Sequence, residues 1–425
     1  ATAYTDLQDA LADAGPNDEI WIAEGVYVPG TSQGDSFRIE GTQDGLKIYG
    51  GFANGDAFAD RNPADHPTIL SGDVGGDDEP FAPETDSDGN TRTPSQTDHL
   101  RGDNSHHVLY FDGWSSGGIT PATLLDGVTV TAGEADGDGS GSLSLDLFGG
   151  GMLCDAPNEP ARCSPRIQNV VFFGNRAEFG GAVTLNGADT ARDGDDNGVS
   201  RPVISTVLFF GNTARYYGGA FYNRGLAGGT VEPVITNATF VGNQSLDGGS
   251  MYNFNSGARP QIINSISWGN PSDGGPEIDT NTGEATVAHS LIQGGIRSGD
   301  VDAGNNLDTD PRFVDIGNPD GPDGVFGTAD DGLRLLPGSP AVDAGDNTPF
   351  EAGGVAETVT TDLVGDPRRQ DGDNDGTPAV NMGAYEAPLV AADLALTLTP
   401  ARQGQLTGRT ASFTATVVNN GPTAP

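Results

Sequence analysis

Short apolar runs recur along the chain, each closed by Gly, Asn or Asp, and no apolar pattern of helical period persists beyond residue 14. Residues 5–14 (TDLQDALADA) are the exception. Leu7, Ala10, Leu11 and Ala14 fall on one helical face, and Thr5 precedes them as an N-cap. This predicts a short amphipathic helix that plugs the end of an open structure. Ile20-Trp21-Ile22 then begins the strands. Further on, four segments align: PRIQNVVFFGN from Pro165, PVISTVLFFGN from Pro202, PVITNATFVGN from Pro233 and PQIINSISWGN from Pro260. They end at Asn175, Asn212, Asn243 and Asn270, spaced by 37, 31 and 27 residues. Three are followed by Gly-Gly-small, at Gly180-Gly181-Ala182, Gly218-Gly219-Ala220 and Gly248-Gly249-Ser250, and Gly149-Gly150-Gly151-Met152 is an earlier copy. A constant motif at variable spacing means insertions at one loop of each repeat.

Strands this short cannot form a free sheet. Stacked on their equivalents in the next copy, they gain backbone hydrogen bonds at the ~4.8 Å strand spacing. Ile167, Ile204, Ile235 and Ile262 then form one apolar column. Phe172, Phe209 and Phe240 form another, broken by Ser267. Asn at a fixed turn position stacks into a ladder, and the paired glycines suit a bend that needs positive φ or close backbone approach. The predicted fold is all-β, a parallel β-helix whose coils contact only their neighbours. Propeller blades repeat at about 40 residues with four strands each, which these short, uneven repeats do not match.

These repeats resemble those of secreted right-handed β-helix proteins of the pectate-lyase-like superfamily, specifically the bacterial choice-of-anchor Q surface proteins. Chlamydial polymorphic outer-membrane proteins carry similar repeats. The resemblance extends to Tyr49-Gly50-Gly51-Phe52, Arg61-Asn62-Pro63, Pro67–Asp73, Leu125–Val130, Pro337–Gly345 and Met382-Gly383-Ala384-Tyr385-Glu386. It implies a right-handed solenoid over residues 1–388 with an N-terminal cap and closing coils. It implies a shared architecture and no particular activity. Residues 73–104 read as a long polar surface insertion. From residue 389, two strictly alternating runs, 392–399 and 411–418, resemble the opening strands of a bacterial Ig-like repeat domain. A sandwich of that kind needs about 100 residues, so 389–425 reads as a truncated one. Insertion of this tail into a neighbouring subunit by strand addition is the alternative.

Composition sharpens the picture. The 425 residues include 65 Gly and 28 Pro, and 60 Asp+Glu against 20 Lys+Arg give a net charge of −40. Such a surface repels nucleic acid and anionic lipid. No apolar run is long enough to span a membrane. Lys47 is the only lysine. The acidity reads as adaptation to high salt, as carboxylate-rich cation sites, or as a plain solvated face. Cys154 and Cys163 flank a polar, Pro-rich loop. A disulfide there implies an oxidising, extracellular compartment, with two free thiols as the alternative.

Three segments alternate Asp or Asn and end in Gly: Asp136/Asp138/Ser140, Asp193/Asp195/Asn197 and Asp371/Asp373/Asp375. The spacing matches the first half of a D-x-D-x-D-G calcium loop, in which alternate residues aim oxygens at one point. The twelfth position, Glu in that loop, is Leu147, Ile204 or Met382, so the motif is partial in each. A fourth cluster, Asp320, Asp323, Asp330 and Asp331, surrounds Val325-Phe326. It resembles calcium-binding Asp-rich repeats and is the leading metal candidate. Hard oxygen ligands with no nearby His or Cys favour calcium over zinc.

Catalytic signatures are sparse. The Gly-His-Gly and Arg-Ile-Lys segments of hydrolases with this fold are missing, as are G-x-S-x-G, Walker and H-E-x-x-H motifs. Of the adjacent His106-His107, one is expected packed and one solvated. Tyr216, Tyr217 and Tyr222 are expected as a packed aromatic stack, with a sugar-stacking surface as the alternative. No catalytic residue is assigned. The reading is a secreted or cell-surface structural or adhesive protein, calcium-stabilised, and possible as a subunit of a fibre or layer. Its partners are other copies of itself, other surface components or glycans. The alternative is a polysaccharide lyase or glycan-binding module. A carboxylate–Arg cluster on one face across three successive coils would separate the two, and spacing alone does not place one.

Overall fold

The computed structural model describes residues 3–79, 84–85, 91–92, 99–115, 117–137, 145–157, 160–187, 198–226, 228–387, 394–400 and 413–419. It is a right-handed parallel β-helix. Parallel strands stack coil on coil into a 14-stranded and a 7-stranded sheet, with a 3-stranded ladder at the turn between them.

The register is the one the repeats predict. Ile167 pairs with Ile204, Ile204 with Ile235 and Ile235 with Ile262, and the column runs back to Leu125 and Ile48. Phe172, Phe209 and Phe240 stack with ring centroids 5.2 and 4.7 Å apart. Burying each such ring contributes roughly 1.5–3 kcal/mol. The opposing sheet supplies Phe37, Leu109, Met152, Val183, Phe221, Met251 and Ile278 in one row. Inside the turn, Asn175, Asn212, Asn243 and Asn270 form the ladder. The Nδ2 of each of the first three donates to the Oδ1 of the next, at 3.0, 2.9 and 2.8 Å. Its last rung is Glu277, whose carboxylate accepts from Asn270 Nδ2 at 2.6 Å and from Ser267 Oγ at 2.8 Å. Ser267 therefore replaces a phenylalanine because the carboxylate needs a donor there.

The two glycines of each pair have different jobs. The first, Gly180, Gly218 or Gly248, sits at φ +66, +68 or +67°. At the second, closeness matters: a Cβ on Gly181 would lie 2.3 Å from the Gly219 carbonyl oxygen, and one on Gly219 equally close to that of Gly249. Five successive coils of the large sheet also bend at a left-handed residue, Asn169, Thr206, Asn237, Asn264 or His289, with φ between 47 and 57°. Asn tolerates this region, whereas β-branched Thr206 is strained there.

Helix α1 (Leu7–Asp13) covers the N-terminal end with Leu7, Ala10 and Leu11 buried. Its cap is Asp6, whose side chain accepts the Gln8 N–H, rather than Thr5. The carboxylate outcompetes a hydroxyl as an N-terminal acceptor. Cys154 and Cys163 are joined in a disulfide. His107 is buried and its imidazole is pushed down to about 4 by that burial. Tyr217 and Tyr252 stack at 4.4 Å, and Tyr222 and Tyr252 at 6.1 Å, so ring faces are spent on each other along the stack.

The stacked strands end at Val301–Asp302. Instead of adding closing coils, the segment after residue 308 turns back along the outside of the large sheet. Leu333, Leu363, Ala384 and Tyr385 cover Val171, Leu208, Phe210 and Val241. Leu335, Ala341 and Met382 cover Ile266 and Leu291. This explains why the runs VVFF and VLFF do not alternate: both faces of those strands are buried. The docking points are the left-handed bends. Arg368 donates to Thr206 Oγ1 at 2.8 Å, Asn237 Nδ2 to the Asn381 carbonyl at 2.8 Å, and Asn264 Nδ2 to that of Asp346 at 2.8 Å. In the tail, Leu394–Pro400 and Phe413–Asn419 pair antiparallel.

Candidate metal centre

The Pro337–Gly345 motif ends in a turn that holds Asp343 at φ +52°. Ser339 Oγ donates to the Pro311 carbonyl at 2.6 Å, and Asp343 N–H donates to Asn381 Oδ1 at 2.8 Å. These bonds fix the Asp343 carboxylate against the loop 371–376. That loop closes on itself: Asp371 Oδ2 accepts the Gly376 N–H at 3.0 Å, and Asp373 Oδ1 accepts that of Asp375 at 3.0 Å. Asp343 Oδ2 accepts the Asp373 N–H at 2.8 Å and ties the two segments together.

One carboxylate oxygen from each of Asp343, Asp371 and Asp373 lies within 4.8 Å of the others. Two oxygens bound to one calcium ion at ~2.4 Å are separated by no more than about this distance. Asp343 Oδ1 and Asp371 Oδ1 are closed to solvent and have no hydrogen-bond partner. Burial, with the charges of Asp373 and Asp371 added, pushes the Asp343 carboxyl up to about 6, against the pull of the Asp373 N–H. Oxygen-only ligands, mutual repulsion and orphaned acceptors fit a hard divalent cation.

The metal candidates of the sequence divide as follows. Asp371 and Asp373 converge. Asp375 instead accepts the Thr377 N–H at 2.7 Å. Asp343 was missed by sequence reading. The signal for it was the unfilled twelfth position of the 371 loop, because the extra carboxylate comes from a distant segment. The 320–331 cluster is not gathered into one cage. Asp331 is buried and accepts from Tyr385 Oη at 2.7 Å and from the Gly327 N–H at 2.8 Å, with its carboxyl pushed up to about 7 by burial. Asp330 accepts from Thr328 Oγ1 at 2.5 Å, and exposed Asp323 accepts the Val325 N–H at 2.9 Å. Burial raises Asp320, with Asp323 and Asp330 adding to it. Asp136 follows the strand Glu134–Ala135. Asp138, Asp193, Asp195 and Asn197 lie outside the described residues.

A carboxylate–Arg cluster does span successive coils. Glu40, Asp112 and Asp155 share one row of the 7-stranded sheet, followed by Asn186 and Arg224. Arg38 donates to Asp112 Oδ2, the Trp114 N–H to Asp112 Oδ1 at 2.9 Å, Asn186 Nδ2 to Asp155 Oδ1 at 2.7 Å and Tyr110 Oη to Asp155 Oδ2 at 3.3 Å. Asp112 and Asp155 are only 3% and 4% exposed. Every carboxylate oxygen of the pair is answered by a neighbour, so the cluster braces the sheet.

A family model for the Chlamydia polymorphic membrane protein repeat matches residues 206–224. The match runs from the Thr206 bend through Asn212 and the Gly218-Gly219 turn to Arg224. No curated protein matches the chain. Among the described residues, no helix is long and apolar enough to cross a membrane. The short match and the parallel stack together fit a β-helix surface protein similar to the chlamydial ones.

Proposed function

We propose that the chain is a secreted or cell-surface structural and adhesive rod, clamped by calcium. The observation that carries the metal is the convergence of Asp343, Asp371 and Asp373 with two acceptors left orphaned. The ion would join the Pro337–Gly345 turn to the 371–376 loop, two segments of the C-terminal strap, and so fix the strap's own fold. Calcium supplies charge neutralisation there and no chemistry. Asp320, Asp323 and Asp330 are a second, looser candidate. Repeats of one architecture give rigid reach, and variable loops give a contact surface.

Calcium should raise the melting temperature relative to chelator. At a hundredfold excess over Kd the gain is about 2.7 kcal/mol. Asp343→Asn should abolish the increment while leaving the calcium-free chain as stable or more so, because it removes one of three repelling charges. An unchanged increment in Asp343→Asn sinks the site.

The increment should also depend on pH. Without calcium, folded Asp343 keeps its proton up to about 6, while an unfolded Asp loses it near about 3.9. The folded state binds more protons in that window. The stability from this carboxyl is therefore full below about pH 4 and lost as pH rises through about 6. Calcium needs the ionised form. Its effect should be small at about pH 5 and complete above about pH 7, as read by calorimetry in matched buffers. A calcium effect equal at both values counts against Asp343 as a ligand.

The polysaccharide-lyase alternative is checked by absorbance on acidic polysaccharides with calcium, which a lyase must raise.

A further inference from the structure

The two ends of the insertion 73–104 meet beside the stack. Asp73 and Asn104 form an antiparallel bridge, and the Glu79 N–H donates to the His99 carbonyl at 3.0 Å. The Glu134 N–H donates to the Ser105 carbonyl at 2.7 Å and ties this join to the strand Glu134–Ala135. Three side chains come together here, Asp78, Asn104 and Glu134. None of them belongs to an alternating Asp loop or to the centre at Asp343.

Asn104 is wholly buried between the two carboxylates. Its Nδ2 stands 3.3 Å from Asp78 Oδ1, 3.4 Å from the Arg101 carbonyl oxygen and 3.5 Å from Glu134 Oε2. These are long for hydrogen bonds, and the amide has only two protons for three acceptors. Its own Oδ1 has no donor, and Asp78 Oδ2 is likewise closed to solvent without a partner. Asp78 Oδ1 accepts the Arg101 N–H at 2.5 Å. Arg176 takes Glu134 Oε1 at 3.1 Å and leaves Oε2 to the amide. Burial pushes the Asp78 carboxyl up to about 6, with Asp73 and Asp77 adding to it, against the pull of the Arg101 N–H and Asn104. Burial also raises Glu134, with Asp136 adding and Arg176 opposing.

Turning the amide half round exchanges Nδ2 for Oδ1, two atoms of nearly equal size. The amide oxygen then faces three others at 3.3–3.5 Å. Oxygens at right angles on one calcium ion at ~2.4 Å are about 3.4 Å apart, whereas on magnesium at ~2.1 Å they are about 3.0 Å apart. With no cation among them the four oxygens repel, so the amide presents its nitrogen. A hard divalent ion reverses that preference.

We propose that Asp78, Asn104 and Glu134, with the Arg101 carbonyl, form a further calcium site that pins both ends of the insertion to the strand Glu134–Ala135. The ion converts the Asn104 amide from donor to ligand. This site shares no residue with the clamp at Asp343 and is read at different segments, so either can fail alone.

The test is hydrogen exchange of the 425-residue chain, followed by mass spectrometry on peptides covering 73–79, 99–105 and 134–137, in calcium and in chelator. Opening that requires the ion to leave is suppressed about tenfold with calcium at about ten times Kd, so exchange in these peptides should slow by that factor. Asp343→Asn should keep this slowing while losing that of 371–376, and Asp78→Asn should do the reverse. Magnesium at the same concentration should leave the three peptides unprotected. Asparagine at 78 still offers an acceptor to the Arg101 N–H, so the variant is expected to fold. Should it not, the wild-type comparison decides by itself. Exchange that is the same in calcium and in chelator, or that slows equally in folded Asp78→Asn, overturns the proposal. Equal protection by magnesium overturns the assignment to calcium.

Discussion

Asn212→Ala should destabilise the chain by about 3–5 kcal/mol, measured by urea unfolding. Asn212 is completely buried, and its side chain serves three coils. Its Oδ1 accepts both the N–H and the Nδ2–H of Asn175, at 3.1 and 3.0 Å. Its Nδ2 donates to the Phe172 carbonyl at 3.0 Å and to Asn243 Oδ1 at 2.9 Å. Alanine leaves the Asn175 N–H and the Phe172 carbonyl of the neighbouring coil without these partners, while Asn175 Nδ2 keeps the Val130 and Phe173 carbonyls. Each unsatisfied buried group costs roughly 1–3 kcal/mol, more than the net worth of a made hydrogen bond. A solenoid is coupled only through neighbouring coils, so a weakened rung should also broaden the transition and separate the coils on its two sides. A loss below about 1 kcal/mol would show that water replaces the amide, and that the ladder is not what fixes the coils.

The ladder was legible in the sequence because its cause is local and repeated. Asn175, Asn212, Asn243 and Asn270 each close a copy of one motif, and stacking like on like follows from the spacing alone. The Ile and Phe columns, the Gly-Gly turns and the amphipathic plug were readable for the same reason. The strap was not. Arg368 meets Thr206 across 162 residues, and Asn237 meets Asn381 across 144. No period connects them. The continuous run Val170–Phe173 was the available sign, since a strand with one wet face would alternate. The metal centre was half legible. The alternating loop 371–376 announced itself, while Asp343 belongs to a turn whose sequence carries no ligand pattern. Ranking the 320–331 cluster first followed from its resemblance to calcium-binding Asp-rich repeats. One of its four, Asp331, is instead consumed by Tyr385 in the packing of the strap.

Arg368→Met should release the strap from the stack at a cost of about 3–5 kcal/mol. Arg368 is 2% exposed and Glu386 is wholly buried at its side, with Arg368 Nη1 donating to Glu386 Oε1 at 2.7 Å. The other guanidinium arm donates to Thr206 Oγ1 at 2.8 Å and to the Ala384 carbonyl at 3.1 Å. The residue thus holds a strained left-handed bend, the strap's own backbone and a buried carboxylate at one point. Burial pushes Glu386 up to about 8, with Arg368 pulling the other way. Removing the guanidinium removes that opposition, so the carboxyl either takes a proton or draws in water. The damage should be local. Hydrogen exchange should rise over residues 308–387 and over the outer face of strands Arg166–Phe173 and Val203–Phe210, whose Val171, Leu208 and Phe210 the strap covers. The inner Phe172–Phe209–Phe240 column should stay protected. Pairing Arg368→Met with Glu386→Met should recover most of the loss, because an apolar pair leaves no unpaired buried charge. If the single variant loses stability uniformly along the chain, with no excess exchange in the strap, the strap is an inseparable part of the core and Arg368 is not its latch.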